Sequence, residues 1–335
     1  FPILLITCNR PELLKGTLNS LLAVADVTTD DILVVQDGSM AAVSEVVKNR
    51  NIRVIQNIRG VQLRGGAGAD GASRIATHYK FALSTAFQEY PDAPGVIVVE
   101  DDLLFSPDFM EYFQVAGPVL DHDKSVFAIS AWNDNGFIGR VKDPYKLERT
   151  DYFPGLGWLI SRELYSNELE PKWPRAHWDH WLRSEETNKN REIVHPEVPR
   201  TFHNGIKGTF MDLTMHNLYF RDIAYNTNPM VSWSDHQQEL GRPLYQDVVS
   251  DRFEAEVAHQ IEQCAHAGSV DEIISAPAGT VLCVWINVAH EMATSNPPFK
   301  PISSFFGLWH EHRRGAHRGM HRFYFHDKLI LLINI

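Results

Sequence analysis

Short apolar runs alternate with amphipathic stretches through the first part of the chain. Residues 3–7, Ile-Leu-Leu-Ile-Thr, read as a buried strand, and Pro11 suits the first turn of the helix that follows. Leu13, Leu14, Leu18, Leu21 and Leu22 recur there at helical spacing. Residues 31–35 predict a second strand ending in Gln36-Asp37-Gly38-Ser39. Val43, Val46 and Val47 mark a second helix, and residues 53–56 a third strand. Residues 73–89 read as a long helix with Ile75, Tyr79, Ala82, Leu83 and Ala86 on one face and His78 beside it. Val96-Ile97-Val98-Val99 is the strongest strand signal, a valine-rich run buried on both faces. Strand, helix, strand, helix, strand is the pattern of a parallel α/β sheet.

Further along, residues 108–120 predict a helix and 126–130 a strand. Residues 150–160 mix glycines with large aromatics, either a strand with a bulge or a site where backbone and rings approach a sugar. Residues 192–202 read as a strand interrupted by Pro196 and Pro199, which suits a sheet edge. A loop follows from 205 to about 226. Residues 234–247 are polar and poor in core residues, which places a domain boundary there. Beyond it come a helix at 253–265, a strand at 280–288, a helix at 299–309 and a terminal hairpin from 323–325 and 329–335: a smaller α+β unit.

Composition narrows the possibilities. An apolar content of 44% and a charged content of 22% are those of an ordinary globular chain of 335 residues. The formal net charge of -11 argues against nucleic acid as a main partner, since phosphate contacts need clustered Lys and Arg. No apolar run approaches the length of a membrane span, and no signal peptide is present. The chain opens inside its first strand, so it reads as a piece of a longer protein. Cys8, Cys264 and Cys283 allow at most one disulfide and form no zinc pattern.

The chemistry-bearing stretch is Glu100-Asp101-Asp102 at the end of the valine-rich strand. Ligands of open α/β sheets bind beyond the carboxyl ends of strands. Three carboxylates there repel unless a cation or hydrogen-bond donors compensate them. A hard divalent ion bridging to a phosphate is one answer, and a solvated acidic turn before a helix is the other. Asp179 lies between Trp178 and Trp181 at the start of a short helix. Ring desolvation would raise its pKa toward that of a useful base; otherwise it is an exposed helix-start Asp beside core tryptophans. Gly65-Gly66-Ala67-Gly68 lacks the Lys-Ser/Thr of a P-loop and reads as a surface loop. His310, His312, His317 and His321 lack ordered spacing and read as a solvated basic loop rather than a metal cluster.

Several motifs resemble one family in its own order. They are Val98-Val99-Glu100-Asp101-Asp102 with Pro107-Asp108-Phe109, Ser130-Ala131-Trp132-Asn133-Asp134-Asn135-Gly136, Phe153-Pro154-Gly155-Leu156-Gly157-Trp158, Glu168-Leu169-Glu170-Pro171-Lys172-Trp173-Pro174, and Trp178-Asp179. The chain resembles glycosyltransferase family 13, the N-acetylglucosaminyltransferase I family, from residue 3 to about 226 and more loosely beyond. The resemblance implies a GT-A fold, with a Rossmann-like nucleotide-sugar domain at 1–204, a substrate loop and linker at 205–248, and a small C-terminal α+β domain at 249–335. It implies inverting transfer of GlcNAc from UDP-GlcNAc to the 2-hydroxyl of a mannose, with Mn2+, in the Golgi lumen. A type II membrane anchor would lie outside this chain.

Carried over by position, Asp102 would be the manganese ligand, and Glu100 and Asp101 would contact the donor sugar and ribose. Arg10, Asp37 and His78 would grip uracil and the nucleotide. Leu156, Trp178 and Asp179 would hold the donor sugar, with Asp179 also the general base. The loop from 205 to 226 would close over the donor. The family's cysteines fall on Gly38, Phe127 and Ile193, so its disulfides are not carried over. Short spacing around Trp173 and Trp178 favours the mannose arm of an N-glycan as acceptor. An O-mannosyl glycan and a non-catalytic carbohydrate-binding module are the alternatives.

Overall fold

The computed structural model describes residues 1–58, 71–288, 298–310 and 314–335. The glycine-rich run at 65–68 and His312 lie outside the described residues. The strands are β1 (Ile3–Thr7), β2 (Ile32–Asp37), β3 (Arg53–Asn57), β4 (Gly95–Glu100), β5 (Leu103–Phe105), β6 (Val126–Ser130) and β7 (Leu147–Thr150). They continue with β8 (Trp158–Ser161), β9 (Glu192–Pro196), β10 (Thr201–His203), β11 (Ala265–His266), β12 (Val281–Ile286), β13 (Met320–Phe325) and β14 (Lys328–Asn334). Among the described residues, one mixed sheet runs β3-β2-β1-β4-β8-β6-β9-β7. Leu5 of β1 lies in parallel register beside Val34 of β2 and Val99 of β4. β8 is antiparallel to both β4 and β6.

Alternation along the strands explains why both faces are apolar. Ile3 and Leu5 point into a layer with Leu14, Leu18 and Phe113, from the helices Pro11–Leu21 and Phe109–Ala116. Leu4 and Ile6 point the other way, onto Tyr79, Leu83 and Ala86 of the helix Gly71–Glu89. The expected α/β class and the GT-A-like parallel half are therefore present. β1, β2 and β4 end at one edge of this sheet.

Two expectations change. β9 is not an edge strand: it sits between β6 and β7. Its ladder with β6 covers only Glu192 to Val194, so Pro196 needs no N–H on that side, while its antiparallel ladder with β7 runs on to Pro196. Within the stretch 150–160, β7 ends at Thr150 and strand resumes only at Trp158, after a turn at Gly157, whose φ of 83° lies in the left-handed region. The polar stretch 234–247 is poor in core residues, with Leu244 its one buried side chain. Leu244, with its neighbours Trp233 and Val248, is buried in the same cluster as Ile3 and Phe113.

The C-terminal unit is a sheet of order β11-β12-β14-β13, closed by the expected hairpin with Phe323 opposite Ile330. Phe299, Phe306, Phe323, Phe325 and Ile330 make its own core. One disulfide, Cys264–Cys283, fastens it to the end of the helix Ser250–Gln263. No helix among the described residues is long and apolar enough to cross a membrane.

Candidate active site at the carboxyl edge of the sheet

Thr7, Asp37 and Glu100 end β1, β2 and β4 at the shared edge. Asp101 and Asp102 form the turn into β5, which pairs antiparallel with β10 so that His203 faces Leu103. The Asn204 N–H donates to the Asp102 carbonyl at 2.8 Å. The acidic turn is thus strapped from β10 as well as from β4.

The chain compensates its carboxylates only in part. Arg10 pairs with Asp101 and, at 2.7 Å, with Asp102. The Thr7 hydroxyl donates to Asp101 at 2.6 Å, and the Tyr79 hydroxyl donates to Glu100. Burial, then the charge of Asp102, still pushes the Glu100 carboxyl up to about 7. Burial likewise raises Asp101 against the pull of Arg10. Burial also opposes ionisation of Asp102, but His203 and Arg10 outweigh it and hold that carboxyl below its ordinary value. Asp102 is 5% exposed, and its Oδ1 is buried with no hydrogen-bond partner among the described residues. An ionised carboxylate with an uncommitted oxygen, among other oxygen donors, fits a hard divalent cation.

Asp179 begins the helix Trp178–Leu182. Trp178 is buried, stacked on Tyr79 at 3.9 Å between ring centres and on Trp158 at 5.9 Å. Tyr79 is the residue that donates to Glu100, so the Asp179 helix is tied to the acidic turn through two side chains. The expected rise in the Asp179 pKa is not found. Burial raises it as expected, but Arg183, one helical turn on, pairs with it at 2.6 Å and, with His180, carries it below the ordinary value. Arg183 is itself held by the Phe153 carbonyl at 3.0 Å and lies over the Tyr152 ring.

Leu156 packs between the main core and the Trp132 cluster, and Thr201 donates to its carbonyl at 2.7 Å. A Cβ on the neighbouring Gly157 would lie 2.8 Å from the Thr201 methyl carbon, so the loop's close approach requires glycine. His78 is buried, with Nε2 at 3.2 Å from the Val35 carbonyl and Nδ1 at 3.3 Å from the Asn57 amide. Asp37 stands 4.0 Å from the Cys8 sulfur. These two lie along the edge, while Arg10, Asp101 and Asp102 meet directly and Glu100 is held by Tyr79.

Tyr79, Thr7, His203 and Arg183 were not singled out from sequence. Only Tyr79 left a signal there, as a hydroxyl on a buried helical face that must find a partner. The segment after 204 begins against Asp102, where a Cβ on Gly205 would lie 2.7 Å from Oδ2, and it carries the helix Leu213–Tyr219 rather than loop throughout.

Of these histidines, His317 and His321 are not in a solvated loop. His321 is buried and stacked on Phe299. His317 is 5% exposed, with its ring nitrogens 3.3 Å from Glu192 and 3.1 Å from Glu254. Those three donors lie within 4.8 Å of one another, as metal ligands do. Here Arg149 and Arg318 already sit on the carboxylates.

A model of the GNT-I family matches residues 1–323. The chain is 38% identical over 236 residues to an alpha-1,3-mannosyl-glycoprotein 2-beta-N-acetylglucosaminyltransferase of Arabidopsis thaliana. The match covers 69% of this chain and 52% of that protein, so the chain spans about half the length of this curated relative. Among solved structures it is similar to TarS of S. aureus in complex with UDP-GlcNAc, at 16% identity over 62% of this chain and 60% of that one, with a TM-score of 0.40. It is also similar to the mannosyltransferase PcManGT from Pyrobaculum calidifontis in complex with GDP-Man and Mn2+, at 16% identity, 59% and 58% coverage and a TM-score of 0.35.

Proposed function

The chain belongs to the GNT-I family, and from that premise we propose that it transfers N-acetylglucosamine from UDP-N-acetylglucosamine to the 2-hydroxyl of a mannose on an N-glycan, with inversion, in the Golgi lumen. The observation that carries the reading is the link Glu100–Tyr79–Trp178, which sets Asp179 beside the acidic turn at the ligand-binding edge of the sheet. Residues 1–204 take the donor, residues 205–248 close over it, and residues 249–335 form a small C-terminal domain.

Asp179 is the base. Its depressed pKa keeps it ionised, and it accepts the proton of the acceptor hydroxyl as the new oxygen–carbon bond forms at the anomeric carbon. The bond from that carbon to the diphosphate breaks on the opposite face, and UDP departs with its electron pair. Arg10, Asp37 and His78 bind the nucleotide, and Glu100 and Asp101 orient the ribose and sugar. Leu156 and Trp178 hold the sugar and exclude water, which would otherwise hydrolyse the donor. Asp102 would hold the divalent cation, manganese in this reading, which when bound neutralises charge on the diphosphate as a Lewis acid.

UDP release from UDP-N-acetylglucosamine tests this directly, with and without Mn2+, on a mannose-terminated N-glycan and an O-mannosyl peptide in parallel. Manganese-dependent release on the N-glycan is expected. Release on the O-mannosyl peptide alone would replace the acceptor. No release on either, with donor binding intact by calorimetry, would leave a non-catalytic carbohydrate-binding module.

A further inference from the structure

We propose that Arg314, from the C-terminal unit, is a positioning residue for Asp179 and acts on it through Arg183. The inference rests on the reading of Asp179 as the base and extends the support of that base into the C-terminal unit.

The backbone brings Arg314 to the main sheet. The Asn135 side chain accepts from the Trp309 N–H at 2.9 Å and donates to the Arg314 carbonyl at 3.1 Å. The Ala316 carbonyl accepts from the Thr150 hydroxyl at 2.8 Å and from the Asp151 N–H at 2.9 Å. Between them, Gly315 has a φ of 72°, and a Cβ there would lie 2.6 Å from the Asn135 amide nitrogen. Asn135 thus pins the C-terminal unit against the turn after β6.

From Arg314 a line of contacting side chains runs to the base. Its guanidinium lies over the Trp309 ring at 4.0 Å and the Tyr152 ring at 4.5 Å, and donates to the Tyr152 hydroxyl at 2.6 Å. Arg183 lies over the same Tyr152 ring at 4.6 Å and pairs with Asp179 at 2.6 Å. A guanidinium held flat on a buried ring loses the freedom to swing away from its carboxylate.

Charge gives this line its consequence. Arg183 acts on two carboxylates, Asp179 and the buried Asp134. Burial raises the Asp134 carboxyl above its ordinary value, against the pull of Arg314 and, after it, of Arg183. Arg314 stands 3.7 Å from Asp134, answers that charge and leaves Arg183 to Asp179. Without Arg314 the two carboxylates compete for one arginine. The buried Asp134 needs a partner more than Asp179 does, whose side chain is 34% exposed. Asp179 is otherwise faced by His180, from its own helix, and by the Tyr79 phenol, from the helix Gly71–Glu89.

The test is a carbon-13 NMR titration of the Asp179 carboxyl, its resonance assigned by its loss in Asp179→Asn. Arg314→Gln should move the titration to higher pH and lower kcat on the acid limb by about threefold, with donor affinity by calorimetry within about twofold. In an Arg183→Gln background the same substitution should move neither titration nor limb. Tyr152→Leu should act in the same direction, and Tyr152→Phe, which keeps the ring, should act less. An unmoved titration in Arg314→Gln, or in Tyr152→Leu where Arg314→Gln does not fold, overturns the inference and leaves Asp179 standing as the base. An equal move with and without Arg183 also overturns it, because Arg314 then acts by another route. An unchanged kcat in Asp179→Asn would overturn the reading of Asp179 beneath it.

Discussion

Two buried carboxylate clusters in this molecule are built to opposite rules. Where the C-terminal unit meets the main sheet, Arg149 spans Glu192 at 2.5 Å and Asp123 at 2.9 Å. Arg318 and His317 cover the remaining oxygen of Glu192 and reach Glu254. The other oxygen of Asp123 accepts from the backbone and hydroxyl of Ser125. Burial works against ionisation there too, yet His317 and Arg149 bring Glu192 down to about 2, and Asp123 is likewise lowered. At the acidic turn, one arginine faces three carboxylates, two of which are raised, and an oxygen of the third has no partner among the described residues. A structural cluster neutralises itself. The acidic turn leaves charge for something the chain does not supply, and that is the physical mark of a binding site.

Substitutions should separate the two clusters. Arg149→Met strands buried carboxylates and should cost about 3–5 kcal/mol of folding stability, read by denaturant melts. Asp102→Asn should leave stability near that of the wild type while lowering turnover by about 1,000-fold or more, read by UDP release. The reverse pattern would mean that the clusters have been assigned the wrong way round. Asp179→Asn sharpens the division within the site, with kcat down by about 100- to 10,000-fold and donor affinity by calorimetry lowered far less.

The structural cluster also has a pH signature. Glu192 has a folded pKa of about 2 against an ordinary 4.5. The stability it contributes is fully present above pH 4.5 and is lost as pH falls from 4.5 toward 2. The contribution is up to about 3 kcal/mol, and Glu192→Gln should flatten that part of the thermal stability profile. The smallest effect is expected at Arg183. Removing its charge in Arg183→Gln lets the Asp179 pKa rise, so the acid limb of the kcat profile moves to higher pH. The rate at neutral pH should change by about twofold. An unmoved acid limb would mean that another group sets it.

Much of this contrast was legible in the chain before folding. The runs at 3–7, 31–35 and 96–99 announced buried parallel strands because hydrophobic period is a local property, and the acidic triplet stood at a strand end for the same reason. The partners were not legible. Tyr79 meets Glu100 and Trp178 only because the helix Gly71–Glu89 crosses the sheet. His203 reaches Asp102 only through the β5–β10 pairing. The Asp179 pKa was misjudged because desolvation by the rings was weighed and Arg183, four residues on, was not. Asp108 stood only at the start of the helix expected over 108–120; in the fold it accepts from Arg200 at 2.6 Å, Asn226 at 2.7 Å and Trp233 at 2.7 Å. The His317 region read as solvated because its carboxylate partners are distant in sequence.

The most direct test is thermal unfolding with and without Mn2+ plus UDP, in the wild type, Asp102→Asn and Glu254→Gln. If the uncompensated turn is the cation site, the complex raises the melting temperature of the wild type and Glu254→Gln and fails to raise that of Asp102→Asn. An equal rise in Asp102→Asn, with none in Glu254→Gln, would contradict the account and place the cation on Glu192, Glu254 and His317.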